Sequence, residues 1–294
     1  MAVEAIQISP NPVTVPDDYN ETFILGRKHR NFSRVGFSTR HQGNWWEARA
    51  TLYANKIDTQ EMFQNGLGRR TVLNGSKAVA FEGFINAMRQ TGVGRGTLVK
   101  SLDPVGNVAW VRYKDSAGTF AKSASGLYQP SIDLYGRKEF IASGGQLPSA
   151  SLAESLARQI VLWKAVPKAK AEDLQIVFGR SAPASQPTLE LQIHGYIRTL
   201  GWRVFNQTAS TGTQSADLEL ADITAAVGTY VAGTEFSANS IGVTKEYDSD
   251  RWALDIMMGI AGLGDSYDQR WVLYMKYGRI LVYEPAVPPI RLDI

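Results

Sequence analysis

Short apolar runs with a period of two constrain most strongly how this chain can fold. In residues 47–54, Ala48, Ala50, Leu52 and Ala54 alternate with Arg49, Thr51 and Tyr53. Because successive side chains of a strand point to opposite faces of a sheet, this alternation predicts a strand with one buried face. Similar short runs recur over residues 21–100, which predicts a β-rich barrel or sandwich domain there.

Turn residues placed between apolar runs predict several hairpins. Asn74–Gly75 is a tight-turn dipeptide between two such runs. The segment "DSAG" at 115–118 separates an aromatic, β-branched strand from its return strand, and Tyr277–Gly278 divides the last pair of strands. Residues 174–179 and 188–197 are also predicted to be strands, the second because Leu189, Leu191 and Ile193 alternate.

The clearest helical pattern follows Pro148. Ser151 and Glu154 have capping-box spacing, and Pro167 would end the helix. The residues expected to form its buried stripe recur at helical spacing, and they are Leu152, Leu156, Ile160 and Trp163.

Two further helices are predicted in the last third of the chain. One covers residues 217–231, and the other begins near Asp250, which we expect to be its N-cap. The apolar stripe of the latter would consist of Trp252, Ile256, Ile260 and Leu263. Gly264 would end this helix, and Asp265 would belong to the terminating turn.

Proline and glycine mark the predicted boundaries. Pro10, Pro12 and Pro16 predict an extended arm that has little to bury and becomes ordered only on assembly. The segment "TGVGRGT" at 91–97 lacks the spacing and helix of a nucleotide-binding loop, so a linker is predicted. The predicted divisions are an arm at 1–20, a β-rich barrel-like domain at 21–98, an α+β domain with a hairpin and helix at 99–170, and strands followed by an α+β domain at 171–294.

Composition limits the functional classes. The net charge of +3 over 294 residues is too small and too evenly spread to indicate a nucleic-acid-binding protein. There is no cysteine for a disulfide, a thiol nucleophile or a thiolate metal site. We expect neither a secretory signal nor a membrane anchor, and the absence of cysteine suits assembly in a reducing cytoplasm.

No complete catalytic constellation is visible. His29, His41 and His194 are isolated from one another, and no G-x-S-x-G pentapeptide is present. We therefore predict no catalytic residue, no metal and no cofactor, and a non-enzymatic protein.

Two alternatives stay open. A hydrolase could use carboxylates from the two acidic groups, which are Asp248, Asp250 and Asp255 in one and Asp265 and Asp268 in the other. A carbohydrate-binding module could use a solvent-exposed row of aromatic side chains such as Trp45, Trp46 and Tyr53.

The order of several motifs resembles the hub proteins of bacteriophage tail tips and baseplates, including siphophage minor tail proteins. The motifs are "AWVRYKDSAGT", "SIDLYGRKEFIASGG", the helix "SLAESLARQIVLW" and the closing "DQRWVLYMKYGRILVYEP". Ser131, Tyr135, Gly136, Arg137 and Glu139 match the family pattern, as do Gly264, Asp265, Arg270 and Trp271, although Gln129 replaces the usual acid. The resemblance covers about two thirds of the chain, and the chain is short for the family.

This resemblance implies a hub-like α+β fold that is rich in β-structure, with barrel-like domains and accompanying α+β domains. It also implies a structural subunit of the virion, a homotrimeric ring that joins the tail tube to the distal tip or spike. Expected partners are the tail tube or distal tail protein, the tip or spike protein and the tape measure protein, with DNA only as passing cargo. A distal-tail or adaptor ring is the alternative role within the same assembly.

The stretch 131–140 is predicted to be a joint. Pro130 biases Gln129 towards extended backbone, and Gly136 permits a conformation that other residues resist. Arg137 and Glu139 would lie on one side of an extended segment, where they could pair across an interface. The interface or joint residues are predicted to be Tyr135, Gly136, Arg137, Glu139, Arg270 and Trp271.

Overall fold

The computed structural model describes residues 3–12, 28–29, 32–40, 44–75, 78–92, 96–172, 187–206, 212–244 and 250–286. The protein is β-rich and of the α+β class, as predicted. Its strands are β1 (Val3–Pro12), β2 (Lys28–His29), β3 (Phe32–Arg40), β4 (Asn44–Tyr53), β5 (Arg69–Gly75), β6 (Val79–Thr91), β7 (Thr97–Ser101), β8 (Val108–Lys114), β9 (Phe120–Lys122), β10 (Gly126–Leu127), β11 (Glu139–Gln146), β12 (Lys170–Glu172), β13 (Thr188–Gly195), β14 (Val204–Phe205), β15 (Thr213–Ser215), β16 (Gly233–Phe236), β17 (Gly242–Thr244), β18 (Arg251–Trp252), β19 (Trp271–Lys276) and β20 (Ile280–Pro285).

The helices lie between these strands. They are α1 (Lys56–Asn65), α2 (Gln129–Tyr135), α3 (Ala150–Lys164), α4 (Ala216–Val227), α5 (Ala253–Gly262) and a 3₁₀ helix at Tyr196–Trp202. The chain divides into two compact units, of which unit 1 holds residues 1–36 and 48–194, and unit 2 holds residues 37–47 and 195–294. The finer division into four segments stays a prediction.

A nine-stranded sheet, curled like half a barrel, organises unit 1. Its main order is β2-β1-β5-β6-β13-β4-β3, with β7 paired to β6 and β12 paired to β7. The predicted alternation of β4 is confirmed, because Ala48, Ala50 and Leu52 are buried whereas Arg49 is exposed. The buried face therefore packs into the unit 1 core, and the arginine side faces water.

The N-terminal segment corrects one expectation. Residues 3–12 form β1, which pairs with β5 and buries Ile6 and Ile8 completely. The expectation that this segment has little to bury was wrong for these residues, because the burial of Ile6 and Ile8 on one face outweighs Pro10 and Pro12 near the end of the strand. The remainder of the predicted arm, residues 13–20, lies outside the described residues.

The predicted linker at 91–97 connects two strands of the same sheet. β6 and β7 are antiparallel neighbours, with Ala87 opposite Ser101 and Gln90 opposite Leu98. Gly92 begins the connection with a positive φ of 81°, a conformation that glycine adopts without steric cost. The described residues at both ends of the segment therefore belong to a β-hairpin. Residues 93–95 lie outside the described part.

A second sheet of unit 1 contains the predicted hairpin. β8 pairs antiparallel with β9 and β10, and parallel with β11. Asp115 fixes the β8–β9 turn, because its Oδ1 accepts hydrogen bonds from the backbone N–H groups of Ala117 and Thr119. The "DSAG" turn is therefore confirmed.

Helix α3 packs on this sheet with a face other than the predicted one. It buries Ala153, Ala157 and Val161 against β8 and β10. A Cβ atom added to Gly126 would lie 2.8 Å from the backbone of Ala157, so helix and strand approach as closely as a glycine permits. The buried face of α3 consists of small side chains because only these allow the helix and the strand to come so close. Of the predicted stripe, Ile160 is partly buried against this core, whereas Leu152, Leu156 and Trp163 are exposed, so the prediction was wrong for those three residues.

The start of α3 also differs from the prediction. Ser149 is its N-cap, and its Oγ accepts a hydrogen bond from the backbone N–H of Leu152. Glu154 does not complete a capping box with Ser151 but forms an ion pair with Arg158, one turn along the helix, at 2.6 Å. The helix itself is confirmed.

Unit 2 contains the other two predicted helices and the closing hairpin. β19 and β20 pair antiparallel around Tyr277–Gly278, as predicted, and β16 adds to β20 in parallel. Helix α5 buries Ile256 and Ile260 from the predicted stripe, whereas Leu263 is exposed.

The N-cap of α5 is Trp252 rather than Asp250. Asp250 has a positive φ of 46°, its backbone N–H donates to Asn206 Oδ1 at 2.9 Å, and its carboxylate accepts from Asn206 Nδ2 at 2.7 Å. This reciprocal pair holds the residue before the helix begins, which is why it cannot serve as the cap. The strand predicted at 174–179 lies outside the described residues. Among the described residues, no helix is both long and apolar enough to cross a membrane.

Candidate functional site

The stretch 129–136 forms a short helix and a tight exit rather than an extended joint. Gln129 and Pro130 occupy the first turn of α2, where proline is tolerated because its missing N–H would have no partner within the helix. Gly136 ends the helix with φ 79° and ψ 168°, a conformation that side chains with a Cβ atom resist. The expectation of extended backbone at Gln129 was therefore wrong, and the expectation for Gly136 was correct.

One buried asparagine connects α2 to the start of β8. Asn107 is fully buried, and its Nδ2 donates to the carbonyl of Gly136 at 2.7 Å and to Ser131 Oγ at 3.3 Å. Its Oδ1 accepts from the backbone N–H of Lys138 at 2.7 Å. Ser131 Oγ in turn donates to the carbonyl of Ala165 just after α3. A single amide therefore ties together α2, its exit and the start of β8.

Tyr135 connects this cluster to the large sheet of unit 1. Its ring lies over Gly68, where an added Cβ atom would be 3.2 Å from Tyr135 Cδ1. Burial raises the pKa of the Tyr135 phenol, and the positive charge of Arg69 offsets part of that rise. Burial likewise lowers the pKa of Arg69, with Tyr135 opposing the change. Tyr135 thus packs α2 against the residues that lead into β5.

The two charged residues of the stretch pair with each other. Arg137 Nε lies 2.7 Å from Glu139 Oε1, and Glu139 is almost completely buried. The guanidinium of Arg137 also lies over the ring of Trp110, 5.9 Å from its centroid, and Lys122 Nζ approaches the same ring to 4.6 Å. Buried Lys138 points elsewhere and donates from Nζ to the carbonyl of Leu102.

These contacts make residues 135–139 a joint between α2, β11 and the β5 end of the large sheet. Such a network fixes orientation because every member has a partner. Sequence reasoning singled out Tyr135, Gly136, Arg137 and Glu139 but missed Asn107 and Lys138. A role for the stretch at an interface between subunits stays a prediction.

Arg270 and Trp271 belong to unit 2, so they do not join the cluster around Asn107. Trp271 is buried, stacks on Tyr283 at a centroid distance of 4.7 Å, and donates from Nε1 to Asp265 Oδ2 at 3.1 Å. The carbonyl of Arg270 accepts from the backbone N–H of Ala286 at 2.7 Å, which extends the β19–β20 pairing by one bond. The Arg270 side chain is exposed.

Asp265 organises the turn between α5 and β19. Its Oδ1 accepts from the backbone N–H groups of Tyr267 and Gln269, while its Oδ2 accepts from Trp271. Partial desolvation raises the pKa of Asp265, but these three hydrogen bonds together lower it below the usual value. A cavity of about 330 Å³ lies beside this turn, lined by Met258, Ala261 and Trp271 among others. The predicted turn role of Asp265 is confirmed.

Among the described residues, those of the two alternative functions do not assemble into a site. Trp46 and Trp45 are only partly exposed, the guanidinium of Arg198 lies over the Trp46 ring, and the hydroxyl of Tyr53 is hydrogen-bonded to Ser33. Because neighbouring positions of β4 face opposite sides, Trp45 and Trp46 cannot share one surface row.

The acidic and histidine candidates are also scattered or occupied. The Asp250 carboxylate is held by Asn206 and that of Asp265 by its turn, whereas Asp248, His41 and most of the loop before Asp250 lie outside the described residues. His194 is buried, with its ring edge-on to Phe84 at 6.0 Å. Within the described ranges, no three His, Asp or Glu side chains come together as a metal site would require.

The most unusual surface of unit 1 is apolar. Large side chains of α3 and the residue after its C-cap project into solvent, and they are Leu152, Leu156, Leu162, Trp163 and Val166, here called the α3 apolar surface. Trp163 is 74% exposed, with Lys168 Nζ 4.1 Å from its ring centroid. Several large apolar side chains exposed on one helix are typical of a binding surface.

Comparison of the chain with protein-family models, with curated proteins and with solved structures finds no match.

Proposed function

We propose that this chain is a structural subunit of a bacteriophage tail tip or baseplate. In this proposal three copies form a hub ring that connects the tail tube to the distal tip or spike. The subunit acts without catalysis or cofactor, is assembled in the host cytoplasm and resides in the virion. Its neighbours are the tail tube or distal tail protein, the tip or spike protein and the tape measure protein, and DNA passes as cargo.

The α3 apolar surface is the observation that carries this proposal. Leu152, Leu156 and Trp163 lie within about 40° of one another around the helix, because each residue advances by roughly 100°. The opposite face is already used against β8 and β10, so these side chains have no role in the core of their own unit. In a ring, the α3 apolar surface of one copy contacts a second copy of the chain.

Unit 2 carries a surface of complementary character. Tyr267 is 88% exposed, Leu263 four residues earlier is also exposed, and Asp268 adds a negative charge. The end of α3 instead combines Leu162 and Trp163 with the positive charge of Lys168. An apolar, basic surface on one copy and an apolar, acidic turn on the next give a heterologous contact, and such contacts form a ring when the rotation between copies closes.

The joint around Asn107 suits a subunit of this kind. A ring subunit has to hold its binding surface at a fixed angle to the sheet that forms the ring wall. In unit 1, the buried amide of Asn107 and the ring of Tyr135 connect the α3 layer to the large sheet. The matching motifs at 131–139 and 264–271 add support through their order in the chain.

Light scattering coupled to size exclusion tests the proposal. A mass near three times 32.3 kDa is expected for the purified protein at high micromolar concentration. Trp163→Glu should reduce that mass to one copy, because a charge would have to be buried in the contact. Phe120→Glu, a change at an exposed aromatic residue of β9, is the matched control and should leave the mass unchanged.

A charge exchange tests the pairing of surfaces. Lys168→Glu and Asp268→Lys should each weaken association, and the double variant should restore it in part, because the two charges then attract again. A protein that is monomeric at all concentrations contradicts the ring. It would favour a distal-tail adaptor that needs other proteins, or a tail-associated sugar-binding or hydrolase module.

A further inference from the structure

A cleft of about 470 Å³ opens on the large sheet of unit 1. Six polar residues from four strands contribute to its lining, and they are Arg34, Arg49, Thr51, Arg89, Glu190 and Gln192, here called the arginine cleft. None of them belongs to the joint around Asn107 or to the α3 apolar surface.

The alternation of the strands places these side chains on the water-facing side of the sheet. In β4, Arg49 and Thr51 alternate with buried Ala48, Ala50 and Leu52, and in β13, Glu190 and Gln192 alternate with buried Leu189, Leu191 and Ile193. Arg34 of β3 and Arg89 of β6 are exposed as well. The cleft is therefore a solvent-open polar surface that rests on the packed core.

Its charge is strongly one-sided for a protein whose overall balance is mild. Three guanidinium groups and one carboxylate line it, a formal charge of +2 in one cleft against +3 for the whole chain. Each guanidinium presents a planar fork of N–H donors that matches a carboxylate with two parallel hydrogen bonds. The chemistry of the cleft therefore suits an anionic ligand with several oxygens.

The strand order spaces the three arginines. The sequence of neighbours is β6-β13-β4-β3, so Arg89 and Arg49 lie two strands apart and Arg34 lies on the next strand. Neighbouring strands are roughly 5 Å apart, which puts these side chains along roughly 15 Å of the sheet, across the strand direction. An extended peptide places alternate side chains roughly 7 Å apart, so two or three acidic side chains can reach the cleft together.

The rest of the lining favours a protein over nucleic acid. Sites for single-stranded nucleic acid combine basic side chains with aromatic rings on which bases stack. Among the described residues, the side chains that line this cleft are arginine, methionine, small or aliphatic groups, threonine, glutamine and one glutamate, without an aromatic ring. The carboxylate of Glu190 can accept a hydrogen bond from a backbone N–H of a peptide.

We propose that the arginine cleft binds an extended, carboxylate-rich segment of a partner protein. Arg34, Arg49 and Arg89 receive the acidic side chains, and Thr51, Glu190 and Gln192 hydrogen-bond to the backbone of the segment. Binding at this site does not require ring formation. A failure to bind the segment therefore leaves the proposed function intact, and a failure to form a ring leaves this site intact.

Fluorescence anisotropy on the full chain tests this site with three labelled probes: a glutamate-rich peptide, the same peptide with glutamine in place of glutamate, and a single-stranded DNA of equal charge. The glutamate peptide should bind tightest, and its affinity should fall as salt rises. Arg34→Gln and Arg89→Gln should each raise its Kd about tenfold, since charged hydrogen bonds contribute strongly to binding. Arg112→Gln, at an exposed arginine of β8, is the control and should change nothing.

A conservative variant separates fork geometry from charge. Arg89→Lys keeps the charge but loses the planar fork, so it should restore only part of the lost affinity. Three results would overturn the proposal: no binding of the glutamate peptide, equal binding by the two cleft variants and wild type, or preference for DNA over the peptide. Circular dichroism of each variant shows that a lost affinity does not reflect lost folding.

Discussion

Helices α3 and α5 each pack along a sheet, yet they use their apolar residues in opposite ways. In unit 1, α3 buries Ala153, Ala157 and Val161 and leaves its largest side chains in water. In unit 2, α5 buries large residues instead, and Ile256, Met257 and Ile260 are almost inaccessible. An apolar stripe in the sequence therefore does not by itself identify the helix face that packs into the core.

The two regions also differ in how a single polar side chain fixes the chain beside the helix. Asn107 holds the backbone at the exit of α2 by hydrogen bonds from a neutral, fully buried amide. Asp265 holds the turn after α5 through its carboxylate, which accepts hydrogen bonds from two backbone N–H groups and an indole. The first arrangement should be insensitive to pH, whereas the second should not.

The largest expected effect lies in the core of α5. Met257→Ala should lower the free energy of unfolding by about 2–5 kcal/mol, because it removes a fully buried side chain and leaves a cavity. Urea denaturation followed by tryptophan fluorescence measures this loss. Leu263→Ala, at the exposed C-cap of the same helix, should change stability by no more than about 0.5 kcal/mol. Similar losses for both variants would contradict the contrast between the helix faces.

The next effect concerns the amide of unit 1. Asn107→Ala should cost about 1–3 kcal/mol, because the N–H of Lys138 and the carbonyl of Gly136 lose a buried partner. Gln129→Ala removes only an exposed hydrogen bond to Asp133 and serves as the control. If thermal unfolding of the two variants were indistinguishable, packing alone would hold the joint.

A pH titration sharpens the comparison between amide and carboxylate. The pKa of Asp265 is lower in the folded state than the usual value of about 3.9, so its contribution to stability is complete above that value. The contribution is lost as pH falls through the lower, folded-state pKa. The stability of unit 2, measured by following its unfolding with the near-UV signal of Trp271, should fall in that acidic window. Asp265→Asn should remove that part of the pH dependence, and an unaltered profile would contradict the assignment.

The smallest effect on stability is expected on the α3 apolar surface. Leu162→Ala should change the free energy of unfolding of the monomer by no more than about 0.5 kcal/mol, because the side chain is 63% exposed. The same variant should weaken self-association in dilution experiments. A large loss of monomer stability would instead mean that this side chain packs within its own subunit.

Local patterns were enough to predict several elements, although helices α1 and α2 were missed. The alternation of β4, the hairpin turns at 115–118 and 277–278, and helices α3, α4 and α5 follow from nearest neighbours in sequence. The buried face of α3 could not be predicted in this way, because it depends on the close approach of Gly126, which the sequence does not mark as a helix contact.

The joint was only partly predictable for a similar reason. Gly136 stands out because a positive φ favours glycine, but Asn107 resembles any other asparagine near a strand. Its partners, Ser131, Gly136 and Lys138, lie 24 or more residues away in the chain. Such a network comes from tertiary packing, which residue spacing does not encode.

The parallel pairing of β8 and β11 has a mechanical consequence. Tension applied at Val108 and at Gln146 pulls on opposite ends of the two strands, so it loads their evenly spaced hydrogen bonds in shear and all together. Tension applied at Trp271 and Pro285 pulls on the same end of the β19–β20 hairpin, so its bonds open one after another. Loaded at these residues, the β8–β11 pair therefore resists a larger force than the β19–β20 hairpin.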